Sequence, residues 1–396
     1  MLNPHALQLG SSPSCIRELF HYGRELVRLH GEDAVCDFSL GNPATPPPEE
    51  VLDAFSTLSE HPDPIEIHGY TVAGGDPAVR RAIAEELSAR YGVALGGEHL
   101  FLTAGACPAL VATFGALTLD KTTEFVAIAP YFPEYKTLVE GAGATLVVAE
   151  ADTARFQINF DSLAGAIGPH TQGVIINSPN NPSGAVYTRE TLTTLARLLT
   201  QKSKEVGHPI YLISDEPYRE LVYGACEVPY VPSLYPYTVV CYSYSKSLSL
   251  PGDRIGYVLV PPTVPEGEKL LLAIAGAARM SGHVCAPALL QRVVGLTTSA
   301  RPDLSTYDRN RATLYNALTE MGYTCVHPDG AFYLLVKSPF EDGDAFSYRA
   351  KEKGLLLVPG RDFGVPAYVR VAYCVKEEVV TRSLPLFEAL MAESKL

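Results

Sequence analysis

Between about residues 99 and 260 the chain alternates short apolar runs with longer amphipathic stretches. The runs are HLFLT, EFVAIAP, ATLVVAE, GVIINS, IYLISD, VVCYS and GYVLV. None shows the in–out alternation of a half-exposed sheet, so each suits a strand covered on both faces, as in a largely parallel α/β sheet. Between GVIINS and IYLISD lies TRETLTTLARLLTQKSKEVG. There Leu192, Leu195, Ala196 and Leu199 recur at helical spacing, Thr188 is placed to cap the start, and Gly207 to end it. Strand, helix and strand make a βαβ unit, whose crossover is almost always right-handed. The pattern therefore predicts an α/β fold: a mostly parallel, seven-stranded sheet flanked by helices.

The flanks differ. A helix is expected over SCIRELFHYGRELVRLHG, followed by the proline-rich break LGNPATPPPEE. From about residue 288 the chain reads as helices, then as strands at FYLLVK and YVRVAYC. The expected division is a large domain over 43–287 and a smaller α+β domain built from 1–42 plus 288–396.

Composition narrows the function. With 396 residues, 47% hydrophobic and 19% charged, the chain has the make-up of an ordinary globular enzyme. Its net charge of −13 argues against nucleic acid and anionic membrane as partners, since both call for a basic surface. The eight cysteines form no C-x-x-C pair and read as free thiols in a reducing, cytoplasmic setting. The ten histidines show no metal-binding spacing, so no metal is expected. Neither a signal peptide nor an apolar run of membrane-spanning length is evident. The final Ser394-Lys395-Leu396 spells a peroxisomal address, which has meaning only in a cell with peroxisomes.

Ligands of open α/β sheets collect beyond the carboxyl ends of the strands. Asn181 follows GVIINS, Asp215 and Tyr218 follow IYLIS, and Ser243 and Lys246 follow VVCY. After HLFLT comes AGACPALVATF, a small-residue turn opening a helix with Pro108 in its first turn. A helix N-terminus with Arg254 and the Ser243 hydroxyl would bind a phosphate. A partly desolvated lysine among cations favours its neutral amine and can attack a carbonyl. A buried Asp215 needs a cationic partner, which a protonated ring nitrogen would be. Phosphate, aldehyde and pyridinium in one ligand describe pyridoxal phosphate.

On the motifs SLGNP (39–43), HGYTVAGG (68–75), TAGACPAL (103–110), PYFPEY (130–135), NSPNNPSG (177–184), SDEPY (214–218), SYSK…GDRIGY (243–257) and YVRVAY (368–373), the sequence resembles the class I/II aminotransferases, fold type I pyridoxal-phosphate enzymes of the aspartate aminotransferase kind. The resemblance spans essentially the whole chain. It implies that Lys246 forms the internal aldimine and shuttles a proton between the substrate α-carbon and the cofactor, which passes through its pyridoxamine form. It further implies that Asp215 holds the pyridine nitrogen protonated, and that Asn181 and Tyr218 hydrogen-bond the ring's phenolate. Phe132 would stack on the ring, with Tyr131 as the alternative. Gly105, Ala106, Cys107, Ser243 and Arg254 would hold the phosphate, with backbone groups favoured over the Cys107 thiol. Arg370, helped by the Gly41 backbone, would clamp the substrate α-carboxylate. Tyr70 would reach the phosphate of a neighbouring subunit, implying a homodimer with shared active sites. A second arginine for a dicarboxylate substrate would be Arg17 or Arg279.

An aminotransferase moving the amino group of an L-amino acid to a 2-oxo acid is therefore expected, with aspartate, glutamate or aromatic amino acids as substrates. A C–S β-lyase would use the same lysine, aspartate and arginine, and the motifs do not separate the two. A cofactor-binding regulator would need a DNA-binding module, for which no basic segment is present. A nicotinamide dehydrogenase is disfavoured because GAGATL (141–146) lacks the third glycine of its fingerprint.

Overall fold

The computed structural model describes residues 2–11 and 15–396. All seven apolar runs form strands: β1 (Leu100–Thr103), β2 (Glu124–Ile128), β3 (Thr145–Ala149), β4 (Thr171–Asn177), β5 (Tyr211–Asp215), β6 (Thr238–Ser243) and β7 (Gly256–Leu259). They make one seven-stranded sheet in the order β1-β7-β6-β5-β4-β2-β3. β7 runs antiparallel to both β1 and β6, while the other neighbours pair parallel. Every residue of β1, β6 and β7 is buried, as continuous apolar runs require of strands covered on both faces.

Helices cover both faces. On one, α1 (Ala106–Leu117) and α2 (Gly267–Met280) pack with Phe125, Ile175 and Val258. On the other, α3 (Arg189–Val206) buries Leu192, Leu195, Ala196 and Leu199 against Val174 and Leu212. The expected caps of α3 are in place: the Thr188 side chain accepts from the Thr191 N–H, and Gly207 closes the helix at φ 84°.

The chain's two ends meet in a second unit. Tyr333–Lys337, Val358–Pro359 and Tyr368–Ala372 form a three-stranded antiparallel sheet with Tyr368–Ala372 in the middle. Cys36–Asp37 pairs parallel with Leu355–Leu356, tying the N-terminal segment to this unit. The expected helix near the N-terminus spans Cys15–His30, after a short helix Pro4–Ser11; Ser14, the first residue of its expected span, lies outside the described residues. The helix Ala288–Leu296, expected in the small domain, buries Leu290, Val293 and Val294 in the cluster that also holds Leu100, Leu102 and Tyr257 of the large sheet. On this packing we infer that the large unit extends to Ala300.

Among the described residues no helix is long and apolar enough to cross a membrane, and no group of three or more metal-ligating side chains occurs.

Candidate active site

The register of the parallel strands lines up their carboxyl ends. Asn177 ends β4 opposite Asp215 at the end of β5, Asp215 lies opposite Cys241, and Ser243 ends β6 opposite Gly256 of β7. These ends open onto a cavity of about 320 Å³ between the large sheet and the small unit. Of the residues singled out from the sequence, Arg17, Gly41, Ala106, Cys107, Phe132, Asn181, Asp215, Tyr218, Ser243, Lys246, Arg254 and Arg370 line it.

The lysine stands on a single helical turn, Tyr244–Ser247, started by Ser243, whose side chain accepts from the Ser245 N–H. Lys246 Nζ donates to the Gly41 carbonyl at 2.6 Å, an atom contributed by the N-terminal segment. Burial, helped by the nearby cations Arg254 and Arg370, pulls its ammonium from the ordinary 10.5 down to about 8. At neutral pH about a tenth of the amine is then neutral and nucleophilic, against well under a thousandth at the ordinary value.

Asp215 is buried, with its Oδ2 accepting from the Tyr135 hydroxyl at 2.6 Å and its Oδ1 buried without a partner. Burial raises its carboxyl from 3.8 to about 7, the Tyr135 hydrogen bond opposing that rise and Glu216 adding to it. A buried acceptor left open costs free energy unless something fills it. The backbone at this point is tied down by Asn177, whose amide donates to the Asp215 carbonyl at 2.9 Å and whose oxygen accepts from Asn181 N–H at 2.8 Å.

A second cluster surrounds the N-terminus of α1. Gly105 precedes it at φ 93°, which favours glycine, and a Cβ there would fall 2.5 Å from Arg254 Nη2 and displace that guanidinium. Gly105 itself stands behind the cavity wall. Arg254 adopts the unusual φ of 60° for a non-glycine residue and donates to the Ser245 hydroxyl at 3.1 Å and the Pro251 carbonyl at 2.9 Å. Free N–H groups of a twelve-residue helix, a guanidinium and two serine hydroxyls converge here, an anion-binding set. Burial, with Asp215 beside it, pushes the Cys107 thiol up to about 11, which keeps it neutral.

Arg370 lies in the middle strand of the small sheet, and yet it is only 2% exposed. It donates to Asn181 Oδ1 at 3.0 Å and to the Ser39 carbonyl at 2.5 Å, while its Nε is buried without a partner. Its guanidinium sits 4.7 Å from the Tyr333 ring centroid.

Phe132, rather than its neighbour Tyr131, lines the cavity. Arg17 lines it from the N-terminal helix, whereas Arg279 lies on the exposed outer face of α2 beside Gly115 and Met280, away from this chain's cavity. Tyr70 is also outside it, 89% exposed beyond the helix Pro64–His68. Sequence reasoning passed over three residues. Tyr135 and Asn177 hold Asp215, and Tyr333 places its hydroxyl 2.9 Å from that of Tyr218. Tyr333 also fills the space a Gly41 side chain would need, since a Cβ there would come 2.0 Å from its hydroxyl.

A mostly parallel sheet whose strand ends carry a lysine, a buried aspartate and a helix N-terminus beside an arginine is the arrangement, and known proteins share its fold. The family model for aminotransferase class I and II matches residues 33–384, and the chain belongs to that family. The aspartate/prephenate aminotransferase of Thermus thermophilus is 30% identical over 376 residues, covering 93% of this chain and 94% of that protein. The aspartate aminotransferase of Streptomyces avermitilis is 28% identical, over 91% of this chain and 90% of its own. Among solved structures, an amino transferase from Eubacterium rectale superposes with a TM-score of 0.98 at 49% identity, covering all of both chains. The Thermus thermophilus aspartate aminotransferase with maleate gives a TM-score of 0.86 at 28% identity, over 98% of this chain and all of that one. The protein is an aminotransferase of this family.

Proposed function

We propose that the chain is a pyridoxal-phosphate-dependent aminotransferase, acting as a homodimer on an L-amino acid and a 2-oxo acid, with acidic or aromatic amino acids as donors. The observation that carries the reading is the convergence on one cavity of Lys246, the open Oδ1 of Asp215, the Arg254 cluster and Arg370. The donor set fits the cofactor: an anion site for its phosphate, an orphaned buried acceptor for its ring nitrogen, and Phe132 for its ring face. When bound, the cofactor supplies an aldehyde and an electron-withdrawing ring that stabilises negative charge on the substrate α-carbon.

The chain's residues do the rest. Lys246 provides the amine and, once freed, carries the proton to and from the α-carbon. Asp215 offers its open oxygen to the ring N–H, and Arg370 binds the α-carboxylate through its planar fork, oriented by Asn181. Arg17 at the cavity rim favours an acidic side chain, while Ile16, Leu40, Leu110 and Phe132 provide apolar walls for an aromatic one. A second copy of the chain suits the exposed apolar surface of Ile65, Tyr70, Val72, Met280 and Val284. Within that surface Gln291 donates to the Thr71 hydroxyl at 3.0 Å. Eight free cysteines suit the reducing cytoplasm.

A half-reaction tests the reading. The protein loaded with pyridoxal phosphate is mixed with single amino acids and no acceptor, and the visible band of the bound cofactor is followed. Stoichiometric bleaching with release of one 2-oxo acid supports it, and the fastest amino acid names the donor. Catalytic accumulation of ammonia, pyruvate and a thiol from cystathionine, with the band restored, would overturn it in favour of carbon–sulfur cleavage.

A further inference from the structure

We propose that Tyr135 is a positioning residue for cofactor binding: its hydroxyl pins one oxygen of Asp215 so that the other is left as the single open acceptor for a protonated ring nitrogen. This rests on the pyridoxal-phosphate reading above and adds to it a residue outside the cavity wall.

Tyr135 is the second residue of the helix Glu134–Gly141, just after the loop carrying Phe132, and is 1% exposed. Its ring meets that of Phe132 edge-on, with centroids 5.7 Å apart at 87°. One tyrosine thus touches both groups that would hold the ring, Phe132 on its face and Asp215 at its nitrogen. The 2.6 Å contact with Asp215 Oδ2 is in the range of a hydroxyl donating to a carboxylate. Burial, with Asp215 next in weight, drives the Tyr135 phenol well above its ordinary 10, so the hydroxyl keeps its proton and remains the donor.

The choice of a neutral donor matters. A lysine or arginine in this place would neutralise the carboxylate and remove its attraction for a pyridinium. A hydroxyl hydrogen-bonds the carboxylate without supplying a positive charge, so the place of the charge partner is left to the ligand. It also blocks rotation of the carboxylate. Among the described residues Oδ1 has no partner, while Asn177 holds the backbone of the same residue. Oδ2 and the backbone carbonyl of Asp215 are thereby satisfied, and one lone acceptor lies at the cavity wall.

The test compares two cofactors. Wild-type apoprotein and Tyr135→Phe are titrated with pyridoxal phosphate and with its 1-deaza analogue, in which the ring nitrogen is replaced by C–H. Phenylalanine keeps the ring and its packing, so only the donor is lost. The expected result is about tenfold or greater weakening for pyridoxal phosphate, as for loss of a charge-assisted hydrogen bond, and no change for the analogue. Equal weakening for both ligands would reduce Tyr135 to a packing role, and unchanged affinity for both would also overturn the proposal. If Tyr135→Phe does not fold, Tyr135→His takes its place: it keeps a ring N–H donor and should retain the wild-type preference for the pyridine over the deaza ligand. A folded histidine variant without that preference would contradict the proposal. A wild-type protein that fails to bind pyridoxal phosphate would instead overturn the proposed function, and this inference with it.

Discussion

Asp215 and Glu216 are consecutive carboxylates, 4% and 5% exposed, and they live in opposite circumstances. Glu216 is satisfied on both oxygens: Oε2 accepts from Arg219 Nε and Oε1 from the Ser214 hydroxyl, each at 2.7 Å. Arg219 in turn donates to the Tyr257 hydroxyl at 3.1 Å and lies over the Tyr242 ring at 4.3 Å. Asp215 has one neutral donor and one open oxygen. Neighbouring residues of an extended chain point to opposite sides, so a shift of one position separates structure from site. A buried charge with both oxygens partnered holds the fold together. One left half-filled is held ready for a ligand.

Three substitutions and a titration would break or sharpen this contrast, from the largest effect down. Lys246→Ala should lower turnover on the order of 10⁴-fold, because both the amine and the proton carrier are gone. Its thermal midpoint should not fall, since a buried amine whose charge is disfavoured is removed; activity assays and thermal denaturation check both. Glu216→Gln should cost about 3–5 kcal/mol of stability, as Arg219 is left buried with its charge unpaired. Denaturant unfolding reads that loss, and a neutral outcome would mean that Glu216 is not structural. Gly105→Ala should cost about 1–3 kcal/mol through its positive φ, and should weaken binding of pyridoxal phosphate by displacing Arg254. The smallest effect is a titration. Acylation of Lys246 in the apoprotein should rise with pH to a midpoint near 8, and a midpoint near the ordinary 10.5 would deny the desolvated site.

Part of the fold and of the candidate site was legible in the sequence, but the contrast between Asp215 and Glu216 was not. Most of the seven strands could be read because burial on both faces keeps them largely apolar; β3, at the sheet edge, departs from that expectation, with Thr145 and Val148 exposed. Asp215, Asn181, Ser243 and Lys246 could be read because each follows such a run at the end where ligands gather. Tyr135 could not, because an aromatic just inside a short helix looks like core until the Asp215 carboxylate is seen 2.6 Å away, 80 positions along the chain. Arg370 left its own sequence signal ambiguous: a strand arginine among alternating residues suits solvent as well as a site. Its burial depends on Ser39, 331 positions earlier, and on the small sheet folding back over the large one. The helix Ala288–Leu296 likewise follows its packing partners Glu49–Ser59 and Pro77–Tyr91 rather than its neighbours in sequence. Nothing in its periodicity says which layer it joins.

The most direct test is the stability of the apoprotein with Asp215→Asn against Glu216→Gln as pH is raised. The Asp215 carboxyl titrates near 7 in the fold and near 3.8 when unfolded. As pH rises past about 4 the unfolded chain loses this proton first, so the native state is progressively disfavoured up to about pH 7 and by a constant amount above it. The asparagine variant escapes that penalty and should be more stable than wild type at pH 8 by up to about 4 kcal/mol, with the gain vanishing below pH 4. Glu216→Gln should be destabilised at pH 8, and pyridoxal phosphate should stabilise wild type more than Asp215→Asn. If Asp215→Asn is destabilised at pH 8 as Glu216→Gln is, Asp215 is a structural carboxylate and the open site is refuted.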